Sequence, residues 1–138
     1  MIALNIMLNA SLETTWLVLT QPAAIQRWAS NPGCWRCISY TSHFMEGGTF
    51  KLLLKGDVGN WQASVQGHFG QISPYRKVSI VINGGERITV TLIPQGEQVS
   101  CECRLTGAIN DSVFSKKTHR LIMTRFKDYI EQLARLAG

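Results

Sequence analysis

Hydrophobic and polar residues alternate with a period of two over most of the chain, and only its C-terminal part switches to spacings of three and four. The opening run "MIALNIML" alternates in part and predicts a strand. Ser11 follows it. A serine hydroxyl accepts from the free N–H groups of a first helical turn, and Glu13 places negative charge there, so a short helix is expected through Leu19. Pro22 suits the first turn of a second helix, where its missing N–H would have no partner in any case. Ile25 and Trp28 in "AAIQRWA" then share one face, and "SNPG" ends the helix.

From there to Thr106 the pattern is strand after strand, separated by turn residues. "TFKLLLK" sets Phe50, Leu52 and Leu54 on one face; "GDVGN" turns; "WQASVQGHF" sets Trp61, Ala63, Val65, Gly67 and Phe69 on one face, with His68 on the other. Pro74 interrupts, "KVSIVI" resumes, and "NGGE" is a hairpin signal. "RITVTLI", the turn "PQGE" and "QVSCECRLT" complete the series.

The final segment, Phe114 to Gly138, carries apolar residues at Phe114, Leu121, Ile122, Phe126, Tyr129, Ile130, Leu133 and Leu136, the spacing of an amphipathic helix. A strand, two short helices, about six antiparallel strands and one long helix use up the chain. An antiparallel sheet with one apolar face needs a cover, and the last helix alone is long enough to supply it, so an α+β fold is expected.

Composition changes this picture only in part. The 138 residues suit one domain with a single core, spanning 1–138, and no linker-like run divides them. The start lacks the charged and apolar regions of a signal peptide, and no run approaches the roughly 20 apolar residues of a membrane span, which points to a cytoplasmic location. The net charge of +5 suggests nucleic acid. Its distribution argues otherwise: Lys116, Lys117, Arg120, Arg125, Lys127 and Arg135 against Asp128 and Glu131 put 6 − 2 = +4 on the final helix, mostly opposite its apolar stripe. A solvated helix face accounts for that, and no nucleic-acid partner is expected.

Four stretches then carry a family resemblance. "LTQPAAIQRW" (Leu19 to Trp28), "EGGTFKL" (Glu46 to Leu52), "GHFGQISPYRKV" (Gly67 to Val78) and "ERITVTLIPQGEQVSCECRLT" (Glu86 to Thr106) resemble, in order and spacing, the START-like SRPBCC superfamily. They look most like its branch related to the activator of the ninety-kilodalton heat-shock protein ATPase. Gln21 departs from the pattern, standing where the family often has Asp before the proline. The resemblance implies a helix-grip fold of the birch-pollen-allergen type. In it a curved antiparallel sheet of six to seven strands wraps the C-terminal helix and often leaves an apolar cavity between them.

The cysteines raise a separate question, because Cys34 and Cys37 in "CWRC" fit a zinc half-site or a thiol redox motif, and Cys101 and Cys103 in "CEC" form a second pair. In the implied fold the first pair enters an edge strand and the second lies several strands away. Four-cysteine zinc binding is therefore not expected, nor any other metal or cofactor. Cys101 and Cys103 share a face with Val99 and Leu105, as small core residues would. "CWRC" enters a strand rather than the helix N-terminus that activates a redox thiol. His43, His68 and His119 sit on different elements without a catalytic motif, and His68 stands out as projecting from the sheet.

The expected function is binding of a small apolar or amphipathic molecule between sheet and helix. Phe50, Leu52, Trp61, Val65 and Phe69 are expected to line the site from the first strands, Val90, Leu92 and Cys101 from the later ones, and Leu121, Ile122, Arg125 and Tyr129 from the helix. Arg125 and Tyr129 are its polar-tipped members; Arg125 either meets a ligand's polar end or extends its stem to the surface. The resemblance implies two alternatives: a stress-related module that binds a chaperone through its outer surface, and a cyclase- or hydrolase-type enzyme. A binder calls for a cavity of about 300 Å³ or more, a co-chaperone for a filled interior, an enzyme for convergent polar groups with shifted pKa values. No catalytic residues stand out, which favours binding over catalysis, by a monomer or homodimer.

Overall fold

Ser11 caps the first helix through its hydroxyl oxygen, which accepts from the Thr14 N–H at 3.1 Å. Around it the computed structural model describes residues 2–31, 33–83, 85–107 and 116–137. Strand β1 (Ile2–Leu8) leads into helices α1 (Leu12–Thr20) and α2 (Pro22–Trp28). Six strands follow: β2 (Trp35–Ser42), β3 (Thr49–Gly56), β4 (Gln62–Ser73), β5 (Lys77–Ile82), β6 (Arg87–Gln95) and β7 (Gln98–Thr106). Helix α3 (Lys116–Ala137) closes the order. The expected helical residue Phe114 lies outside the described residues.

The strands form one seven-stranded sheet in the order β1-β7-β6-β5-β4-β3-β2, and every neighbouring pair is antiparallel. Only the first strand is out of sequence, pairing with β7 so that Leu4 faces Cys103 and Ile6 faces Cys101. In a flat sheet β7 and β2 would stand five strand spacings apart, about 24 Å. Tyr40 of β2 and Cys101 of β7 nevertheless line one common cavity, so the sheet curls strongly, and α3 lies in the curl.

Strand alternation accounts for the core on the sheet side. Val99, Cys101, Cys103 and Leu105 are all buried, and so are Phe50 and Leu54 of β3 and Val65 and Phe69 of β4. Cys37 is buried on the edge strand β2 while Cys34 before it is exposed, and all four cysteines are free thiols. Burial pushes the Cys37 thiol above its ordinary pKa, the reverse of what an attacking thiol needs. Among the described residues no three His, Cys, Asp or Glu come together to hold a metal.

Gly67 is a point of close approach between β4 and both of its neighbours. A Cβ there would stand 2.9 Å from the Phe50 ring and against the Val81 carbonyl oxygen, so the missing side chain lets β3 and β4 bring the ring inward. Gly67→Ala is expected to cost about 1–3 kcal/mol as an overpacking change, read as a lower urea midpoint at constant slope. An unchanged midpoint would mean that both the Phe50 ring and the Val81 carbonyl give way freely.

Candidate functional site

Between the sheet and α3 lies a cavity of about 180 Å³. Six of the seven strands and all three helices contribute to its wall, which is almost wholly apolar. Phe50 and Leu52 of β3, Val65 and Phe69 of β4, Val78, Ile80 and Ile82 of β5, and Ile88 and Val90 of β6 form the sheet side. Helix α3 supplies His119, Ile122, Met123 and Phe126. Among the described residues, no carboxylate, lysine or arginine lines the cavity.

Of the residues expected from sequence, the structure brings seven to this wall: Phe50, Leu52, Val65, Phe69, Val90, Cys101 and Ile122. The other five stand elsewhere, each for a local reason. Trp61 precedes the first residue of β4 and is 41% exposed, its indole lying where Gly56 has no side chain. Leu92 is buried one inward position beyond Val90, in the filled part of the core. Leu121, Arg125 and Tyr129 are off the wall because α3 is turned differently from the stripe of its most apolar letters.

At about 100° per residue, His119, Ile122, Met123, Phe126 and Ile130 fall within an arc of about 100°. Leu121 lies about 160° from His119 on that wheel and Tyr129 about 80°. Leu121 is accordingly 38% exposed, whereas Phe126 and Ile130 are buried. Arg125 is half-buried, with a buried Nε that has no partner, but it is not a cavity residue. His68, the more conspicuous histidine in the sequence, is exposed on β4.

The wall's polar atoms are nearly all engaged. The Trp28 indole N–H donates to the Val18 carbonyl at 2.9 Å and the Trp35 indole N–H to the Ala29 carbonyl at 2.8 Å. Thr20 Oγ1 donates to the Trp16 carbonyl at 2.8 Å. Burial pushes the Tyr40 phenol above its ordinary pKa. His119 Nε2 lies 2.9 Å from Cys103 Sγ, both side chains buried. Among the described residues the exception is His119 Nδ1, a buried nitrogen without a partner. Such an atom costs on the order of 1–3 kcal/mol until something bonds to it.

The Cys103–His119 pair is what sequence reading missed. The two residues are 16 positions apart and carry no motif; only the pairing of β7 with the first turn of α3 joins them. A cysteine–histidine couple suggests nucleophilic catalysis, in which the thiol loses its proton to the imidazole. Here the shifts run the other way. Burial pushes the Cys103 thiol up to about 12, helped by Cys101 and Glu102, and pushes His119 down to about 4. Both groups are held neutral, so the pair is a hydrogen-bonding unit rather than a thiolate–imidazolium ion pair.

The family model described as activator of Hsp90 ATPase homolog 1-like protein matches residues 9–138. Solved structures of similar fold include an AHSA1-like protein from Aeromonas hydrophila, 19% identical, covering 96% of this chain and 94% of that one with a TM-score of 0.76. A Chromobacterium violaceum protein, 16% identical, covers 96% of each chain with a TM-score of 0.77. A protein of unknown function from Staphylococcus aureus, 12% identical, covers 97% of this chain and 96% of that one with a TM-score of 0.72. No curated protein matches the chain in sequence.

Proposed function

Given that the chain belongs to the family of activator of Hsp90 ATPase homolog 1-like proteins, we propose that it binds a small apolar or amphipathic molecule, about one ring in size, between the sheet and α3. The observation that carries this reading is the apolar cavity itself. At about 24 cal/mol per Å³ of unfilled core, a cavity of about 180 Å³ represents roughly 4 kcal/mol of packing forgone. A molecule of matching shape recovers much of that. No helix among the described residues is long and apolar enough to cross a membrane.

Volume decides the size of the occupant, and at about 180 Å³ the cavity is smaller than the roughly 300 Å³ or more that the sequence reading asks of a binder. Drug-sized ligands occupy about 300–1,000 Å³, while an engineered apolar cavity of about 150 Å³ accepts benzene. The cavity here is close to the second figure, so a toluene- or indole-sized probe fits and a long fatty acid does not unless the sheet and helix separate. In thermal melts, toluene and indole are expected to raise the melting temperature in proportion to the logarithm of their concentration, and palmitate to leave it unchanged. Val90→Phe, which puts a ring into the space, is expected to abolish the shift while the protein stays folded. No shift with either ring-sized probe up to its solubility limit would overturn the reading. The role named in the family description, activation of a chaperone ATPase, would work through the outer surface; the ATPase rate of purified Hsp90 with and without this chain reads it independently.

A further inference from the structure

One residue of the cavity wall carries a buried side-chain nitrogen without a partner. Of the buried side-chain nitrogens and oxygens without a partner among the described residues, His119 Nδ1 alone belongs to a lining residue; Glu86 Oε2 and Arg125 Nε do not. His119 is 6% exposed, and its other nitrogen is held by Cys103 Sγ at 2.9 Å. The ring is thus held from β7 at Nε2, which leaves Nδ1 as the nitrogen still to be satisfied.

We propose that His119 Nδ1 is the contact that orients the occupant, and that the occupant is an uncharged ring compound carrying one hydroxyl group. This rests on the cavity being a ligand site, as proposed above, and on a small shift of the wall that uncovers Nδ1, which has almost no accessible surface in this structure. A neutral imidazole has one N–H and one lone pair. If the Cys103 thiol donates to Nε2, then Nδ1 carries the hydrogen and needs an acceptor; in the other tautomer Nδ1 needs a donor. A hydroxyl serves in either case. A carboxylate or an ammonium would meet no opposite charge among the described residues of the wall, and burying an unpaired ion costs far more than burying a hydroxyl that finds a partner. Cys103 acts here as a positioning residue, since it touches His119 and sets which nitrogen remains open.

Two probes of nearly equal shape separate this from simple cavity filling: p-cresol and toluene, differing by one hydroxyl. With wild type, p-cresol is expected to move the His119 Nδ1 resonance in ¹⁵N spectra and toluene to leave it in place. His119→Phe and His119→Leu are expected to weaken p-cresol binding about three- to tenfold, the range of one lost hydrogen bond, and toluene binding by less than about twofold. If both probes bind wild type yet the Nδ1 resonance ignores p-cresol, or the variants weaken both probes equally, His119 is a shape element only and this proposal fails while the cavity reading stands. If neither probe binds wild type, both fail. Should a variant not fold, the wild-type resonance measurement alone decides.

Discussion

Trp28→Ala is expected to destabilise the protein by about 3–5 kcal/mol, toward the lower end because the indole is only half-buried. Its role follows from the neighbouring proline. The carbonyl of Val18, near the end of α1, would in a continuing helix accept from the N–H of residue 22, but that residue is Pro22 and has none. The Trp28 indole N–H supplies the missing bond at 2.9 Å from within α2. The ring then packs edge-on against Phe126 of α3, with centroids 5.0 Å apart and planes at 70°. One side chain therefore closes α1, fixes its angle to α2 and couples both to α3, a wider role than the sheet-end anchor that its sequence position suggests. Trp28→Phe keeps most of the packing and loses only the N–H, so it should cost about 1 kcal/mol. Urea midpoints of the two variants test this directly. Equal and small changes in both would show that the helices hold together without Trp28.

How much of this was legible in the sequence depends on the element. On the sheet side, period-two alternation determines which residues face inward, so Phe50, Val65, Phe69, Val90 and Cys101 could be placed without coordinates. Trp61 failed because it sits at the edge of a turn, where parity no longer governs direction. The family assignment was equally legible, since its motifs are spread along most of the chain.

Helix α3 was read less well. Its rotation was inferred from its strongly apolar letters, and these include Leu121 and Leu136, which are 38% and 78% exposed. The true inward stripe is anchored by His119 and Met123, a polar letter and one the apolar count passed over. A buried histidine is invisible to hydropathy until its thiol partner is known, and that partner comes from β7 through tertiary packing. For the same reason the sequence points to Arg125 and Tyr129 as the polar contacts, and neither is on the cavity wall.

The burial of His119 has a measurable consequence for acid stability. Its ordinary pKa of 6.5 falls to about 4 in the folded protein because burial disfavours the charged ring. The unfolded chain therefore binds a proton between those values that the folded chain does not. Stability contributed by the neutral ring is complete above pH 6.5 and is lost progressively as the pH falls toward 4. At about 1.36 kcal/mol per pH unit, the full loss is roughly 3 kcal/mol. Among the described residues Cys103 is the titratable group bonded to the imidazole, and its thiol stays protonated throughout this range, so it does not compensate the incoming charge. His119→Phe removes the titration while keeping a flat ring in place. Unfolding free energies by urea at pH 7.5, 5.5 and 4.5 should fall for wild type by about 2–3 kcal/mol more than for the variant. The exposed His43 and His68 are common to both proteins and cancel in the comparison. Parallel pH profiles for the two would mean that the folded protein accommodates a charged His119, as it would if the ring reached solvent.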